Sequence, residues 1–172
     1  MIMRPGQQLL LPANPIFIWG SLLLALVVNM LPLGRTAWTP DLLILVLVFW
    51  SVHQPQRVGI GVAFFFGLCM DVHQAALLGQ HALAYTTLSF FAITIHRRLL
   101  WFSVPSQAVQ VLPLFIAAHA IEMALRMVSG GAFPGLNALL APLVEAVLWP
   151  VISVILLAPQ RRAPDPDENR PL

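Results

Sequence analysis

The sequence predicts an all-α integral membrane protein with six transmembrane helices, two of them short. Three observations predict it. Of the 172 residues, 59% are hydrophobic and 9% are charged, against about 25% charged in an ordinary soluble domain. So few charges cannot cover a soluble surface of this size, so lipid is the expected solvent. Six apolar stretches follow one another with short connections, and the arginines gather on alternate connections. A helix that crosses the hydrocarbon core needs roughly 20 residues, which leaves no room for a separate soluble domain. Residues 1–158 are therefore expected to form a single polytopic membrane domain, and 159–172 a disordered cytoplasmic tail.

The first stretch is 16–33. It is longer than the apolar region of a secretory signal, and Pro32-Leu33-Gly34-Arg35-Thr36 offers no Ala-x-Ala-like cleavage site. It is read as a retained span. The second, 40–52, opens on Pro40, which fits a first helical turn because its missing N–H costs nothing there. The third is 58–70. These two are about 13 residues each, near 20 Å of helix, and short for a core of roughly 30 Å. They are either short full spans joined by His53-Gln54-Pro55-Gln56-Arg57 or a re-entrant hairpin. Polar flanks that carry the helices into the headgroups favour short spans. The fourth stretch is 82–95, the fifth 108–128 and the sixth 139–158. Trp19, Trp38, Trp50, Trp101 and Trp149 fall mostly near the expected ends, as interfacial aromatics do.

Orientation follows from arginine alone, because the chain has no Lys. With both termini cytoplasmic, the inside holds Arg4, Arg57, Arg97, Arg98, Arg161, Arg162 and Arg170. The outside holds Arg35 and Arg126. This is a positive-inside bias, and a re-entrant hairpin would leave it unchanged. The expected location is the bacterial inner membrane, multi-pass. From Gln160 on, the chain is rich in Pro and charge and cannot bury enough apolar surface to order itself. Its Arg161-Arg162 pair is suited to anionic lipid at the membrane edge.

Several function classes are excluded. Net charge is +2, but the arginines are single or paired, with no phosphate-tracking block, so no nucleic-acid partner is expected. One cysteine, Cys69, rules out an internal disulfide and Cys-based metal sites; it is read as a small buried hydrophobe. Ser51, Ser89 and Ser103 have no catalytic motif around them, and there is no phosphate loop or dinucleotide fingerprint. No catalytic residue, cofactor or metal is expected, and the protein is not read as an enzyme.

Three groups of residues stand out. Gly59, Ala63, Gly67 and Asp71 recur every four residues in the third stretch, a small-residue stripe that lets another backbone approach closely. It is either a contact for a partner or an ordinary interface inside one bundle. His119, Glu122 and Arg126 share one face of the fifth helix by i,i+3 and i,i+4 spacing. Ionisable groups in lipid are costly and usually face the bundle or a cavity. The face is read as a proton relay, a substrate site or a partner contact, or as a structural Glu122–Arg126 pair near the outer interface. In the sixth stretch, Pro142 and Pro150 are expected to loosen the helix around Glu145, whose carboxyl would then serve the freed carbonyls. His73 and His81 are placed in a solvated outer loop around Leu77-Leu78-Gly79.

An ordered series runs through the chain. Thr39-Pro40-Asp41-Leu42-Leu43 and Phe49-Trp50 lead to Pro55-Gln56-Arg57-Val58-Gly59-Ile60-Gly61, then to Phe66-Gly67-Leu68-Cys69-Met70-Asp71. Leu78-Gly79-Gln80-His81-Ala82-Leu83 follows, and Leu148-Trp149-Pro150 closes the last span. The series resembles the bacterial rod shape-determining protein MreD family, from about residue 19 to residue 158. One departure is Glu145, where the family frequently carries a neutral polar residue such as Asn. The resemblance implies a non-enzymatic inner-membrane component of the cell-elongation machinery that regulates shape and peptidoglycan synthesis. It implies packing with MreC, and through it an indirect link to MreB filaments, RodA and its transpeptidase partner. It also implies a fold similar to the substrate-binding subunits of energy-coupling-factor transporters. On this reading Gly59, Ala63, Gly67, Asp71, Gly79, His119, Glu122, Arg126, Glu145, Trp149 and Pro150 serve helix packing or partner contact. The occupant would be MreC's helix or a second copy of this chain. The alternative is a small-molecule-binding subunit of a transporter, which would show a closed, ligand-sized cavity near the outer surface lined by His119, Glu122 or Glu145, whereas a filled, dry bundle interior favours the scaffold.

Overall fold

A computed structural model describes residues 13–31 and 39–160. Within them lie six α-helices: α1 (Pro15–Met30), α2 (Leu42–His53), α3 (Ile60–Gln74), α4 (Gln80–Leu99), α5 (Val104–Val128) and α6 (Leu140–Leu157). Single 3-10 turns precede and follow α6, and no strand occurs among the described residues. Arg35, Trp38 and the tail from residue 161 lie outside the described residues.

Local chemistry sets the helix starts. Asn14 accepts from the Ile16 N–H at 2.9 Å, and Pro15 follows at the first position of α1. Asp41 caps α2 by accepting from the N–H groups of Leu43 and Ile44. Asp71, at the end of α3, caps α4 across the connection. Its carboxylate accepts from Gly79 N at 2.8 Å and His81 N at 2.7 Å. Gly79 holds φ at 103°, which only glycine adopts without strain. This cap starts α4 at Gln80, so His81 is helical and buried rather than in a solvated loop. His73 is exposed but belongs to the last turn of α3 rather than to a loop.

α3 stops at Ala75, which holds φ at 50°. A left-handed Ala costs about 1 kcal/mol relative to Gly. Ala75→Gly is expected to stabilise the protein by about that amount, checked by thermal unfolding in detergent.

α1 packs on α2, α3 on α4, α4 on α5 and α5 on α6, while α2 also packs on α4 and α6 and touches α3 little; α1 reaches α3 instead. Arg57 in the α2–α3 connection donates to the Ala13 carbonyl before α1 at 3.2 Å, which places those two segments at one end of the bundle. α2 is the central helix, with every residue from Leu43 to Val52 buried. A helix apolar all round suits such a position. Polar groups stitch it in place. Trp50 Nε1 donates to Ser21 Oγ at 2.9 Å on α1, and Ser51 and Ser89 hydroxyls meet at 2.8 Å between α2 and α4.

Trp50 and Trp149 are thus core residues and not interfacial anchors. Trp149 Nε1 reaches Gln107 Oε1 on α5 at 3.3 Å, and its ring lies between Phe49 and Phe115. Trp19 and Trp101 are the exposed ones. Cys69 is half-buried.

α5 and the segment Leu136–Gln160 are each long and apolar enough to cross a bilayer. Large apolar side chains such as Ile16, Phe65, Val109, Val147 and Ile155 are turned outward. An apolar surface of this extent is not that of a soluble monomer, and the architecture fits a membrane protein. Pro142 lies in the first turn of α6, where it disturbs nothing. Pro113 and Pro150 are the internal prolines, each leaving a carbonyl four residues earlier without its helical donor.

Candidate functional site

The end of α1 and the start of α2 meet the ends of α3 and α5 and the starts of α4 and α6 around one cavity of about 430 Å³. Such alternation of ends and starts requires each helix to run against its predecessor. This end of the bundle is opposite the one that carries Arg57.

The polar centre of the cavity wall is Asp41. Besides capping α2, its Oδ1 accepts from Asn29 Nδ2 on α1, and its Oδ2 accepts from the Tyr85 hydroxyl on α4. The Asp41 N–H donates to Glu145 Oε1 on α6 at 2.9 Å. Asn29 Oδ1 in turn accepts from Leu42 N at 3.2 Å. His119 on α5 completes the set, with Nε2 2.8 Å from Glu145 Oε1 and Nδ1 3.6 Å from Glu122 Oε2. The first is a hydrogen bond; the second is too long to be one. Five helices are therefore tied at one end by hydrogen bonds that lipid cannot replace.

The expected Glu122–Arg126 pair does not form. Glu122 turns toward His119, and Arg126 is exposed at the cavity mouth, with no ion pair to Glu122. Glu145 is fully buried but does not serve carbonyls freed by proline; it binds the Asp41 N–H and His119 instead. Its position on α6 faces the start of α2, which offers an N–H at closer range.

The α3 stripe resolves differently. Ala63 and Gly67 are buried inside the chain. A Cβ on Gly67 would lie 2.3 Å from Ala82 Cα, so Gly67 is where the backbones of α3 and α4 meet. That contact leaves no room for a partner's helix at Gly67. Gly59 precedes α3, with only the Pro55 carbonyl near its open side. Asp71 is satisfied within the chain, accepting also from His81 Nδ1 at 2.8 Å. Trp149 and Pro150 belong to the α5–α6 side of the core and lie away from the cavity wall.

The predicted residues thus divide among the α3–α4 seam, the cavity and the α5–α6 core. Asp41, Tyr85 and Asn29 were not singled out from sequence as site residues. The signal for Asp41 was an acidic residue directly before an apolar run, the N-cap pattern; for Tyr85 it was the single Tyr of the chain. Among the described residues no three His, Cys, Asp or Glu side chains converge to hold a metal ion.

Comparison with known proteins gives the family. The family model for the rod shape-determining protein MreD matches residues 12–160. The Haemophilus influenzae protein named "Rod shape-determining protein MreD" is 27% identical over 135 residues, covering 76% of this chain and 81% of that protein. No solved structure matches. The match spans all six helices and the cavity that their ends enclose, and the chain belongs to the MreD family of rod shape-determining proteins.

Proposed function

We propose that this chain is a non-enzymatic, multi-pass component of the bacterial inner membrane that holds the cell-elongation complex together by packing with MreC. The observation that carries the reading is the family match over residues 12–160. Its role in rod shape extends here to a specific assembly, with MreB, RodA and its transpeptidase partner reached indirectly. Six spans, with both termini cytoplasmic and a fold like that of energy-coupling-factor substrate-binding subunits, complete the proposal. The cavity then faces away from the cytoplasm, and Arg57, Arg97 and Arg98 lie inside. Residues 1–158 act as one membrane domain, and the tail beyond it lies in the cytoplasm.

The partner surface lies outside the Gly67 contact, on faces of the bundle turned to lipid. There association depends on close packing and hydrogen bonding rather than on the hydrophobic effect. MreC is expected to co-purify with the tagged chain from detergent-solubilised membranes, and cells lacking the gene are expected to lose rod shape and recover it on complementation. Rod shape retained in the deletion strain, or no MreC recovered at normal membrane levels, would contradict the proposal.

A further inference from the structure

Two carboxyl groups, Glu122 in the cavity wall and Glu145 behind it, each have an oxygen without a donor. Asp41 is fully engaged by the fold, with donors on both oxygens. Glu145 and Glu122 are not. Glu145 is 0% exposed, and its Oε2 has no hydrogen-bond partner. Its other oxygen is fixed by two residues of the cavity wall, Asp41 and His119. Glu122 lines the cavity itself. Its Oε1 is also unpartnered, and its Oε2 is 3.6 Å from the nearest imidazole nitrogen. One imidazole therefore serves two carboxyl groups. Carboxylate oxygens withdrawn from water without donors are unfavourable.

The guanidinium of Arg126 does not fill the gap. It lies one turn along α5 from Glu122, is exposed, and packs its stem beside Gly131. The cavity of about 430 Å³ falls within the roughly 300–1,000 Å³ range of small-molecule sites. Met70, Met123 and Ala141 supply an apolar part of its wall.

We propose that the cavity binds a small organic cation, a protonated amine with a short alkyl body, and that Glu122 is its main contact. An ammonium group brings three donors and no acceptor, which matches the unpartnered Glu122 oxygen. A small movement of the Glu122 side chain about its flexible stem turns its unpartnered oxygen to the ligand. His119 stands between Glu122 and Glu145, and Met70 and Met123 line the part of the cavity that takes the alkyl portion. A small anion finds two carboxyl groups in the wall and one arginine at the rim.

The test uses the full chain in detergent, titrated with 1,5-diaminopentane, n-butylamine, n-butanol and acetate. Binding is read by calorimetry and by the shift in thermal unfolding. Both amines are expected to bind saturably and to raise the unfolding temperature, with n-butanol and acetate without effect. Glu122→Gln is expected to weaken amine binding by about tenfold or more. Should that variant not fold, Ala138→Leu, which fills the cavity from the turn before α6, is expected to abolish amine binding. Absence of saturable amine binding, equal binding of n-butanol, preferential binding of acetate, or unchanged amine affinity in the folded variant would each overturn the proposal. Loss of rod shape in a deletion strain is independent of all these outcomes.

Discussion

Gly67→Ala is expected to destabilise the protein by about 3 kcal/mol. The added Cβ would stand 2.3 Å from Ala82 Cα, 2.6 Å from Ala82 N and 2.8 Å from the His81 carbonyl carbon. All three are backbone atoms, so no rotamer change relieves the clash, and α3 and α4 must separate. The damage then spreads along the seam. Asp71 lies one turn beyond Gly67 and reaches across to the His81 and Gly79 N–H groups. Separation lengthens those bonds and leaves a buried carboxylate short of donors, which adds to the cost. Gly61 is the internal control. It lies on the same helix, and a Cβ there meets nothing within 4 Å. Gly61→Ala is expected to be neutral or to stabilise by about 0.5–1 kcal/mol through helix propensity. Thermal unfolding of the two variants in one detergent, with their steady-state membrane levels, checks the contrast.

Asp41→Ala is expected to cost about 3 kcal/mol or more, because it removes the acceptor shared by α1, α2 and α4 in one step. It also strips the cap from α2, worth about 1 kcal/mol alone, and leaves the Tyr85 hydroxyl buried without its acceptor. Asp41→Asn keeps one acceptor oxygen for the α2 cap and should be milder. A double-mutant cycle with Tyr85→Phe isolates the cross-helix bond, with an expected coupling of about 1 kcal/mol. Additivity of the two substitutions would show that the Tyr85 contact carries no energy.

Much of the fold was legible because lipid-facing and core helices share one composition signal. The six stretches coincide with the six helices. The second and third are short as helices, α2 of 12 residues and α3 of 15, but α1, expected over 16–33, is also short at 16 residues. What the helices face was less legible, for the same reason. An apolar run reads alike whether lipid or protein surrounds it, so the burial of α2 could not be seen. Trp50 illustrates this: near a helix end a tryptophan suits an interface, yet its indole is buried and finds a partner in Ser21. The α3 stripe was visible from its spacing of four, but spacing does not say which neighbour fills it.

At the site, the face shared by His119 and Glu122 was evident from helical periodicity, and Glu145 from its charge in an apolar run. Their connection was not. His119 meets Glu145 directly across α5 and α6, and Glu145 is tied on to α2 through the Asp41 backbone N–H, a group that every residue but proline possesses and no pattern marks. His81 was misplaced because the turn before α4 is shorter than its Leu77-Leu78-Gly79 composition suggests; the Asp71 cap draws the helix start back to Gln80.

The proposed function requires the cavity end of the bundle to be turned away from the cytoplasm. In a Cys69→Ser background, single cysteines are placed at His73 and Arg126 on the cavity end and at Arg57 and Arg98 on the other. Spheroplasts are then treated with a membrane-impermeant maleimide. Labelling is predicted at positions 73 and 126, with positions 57 and 98 reacting only after the membrane is permeabilised. The reverse pattern, or labelling of both ends in sealed spheroplasts, would contradict it.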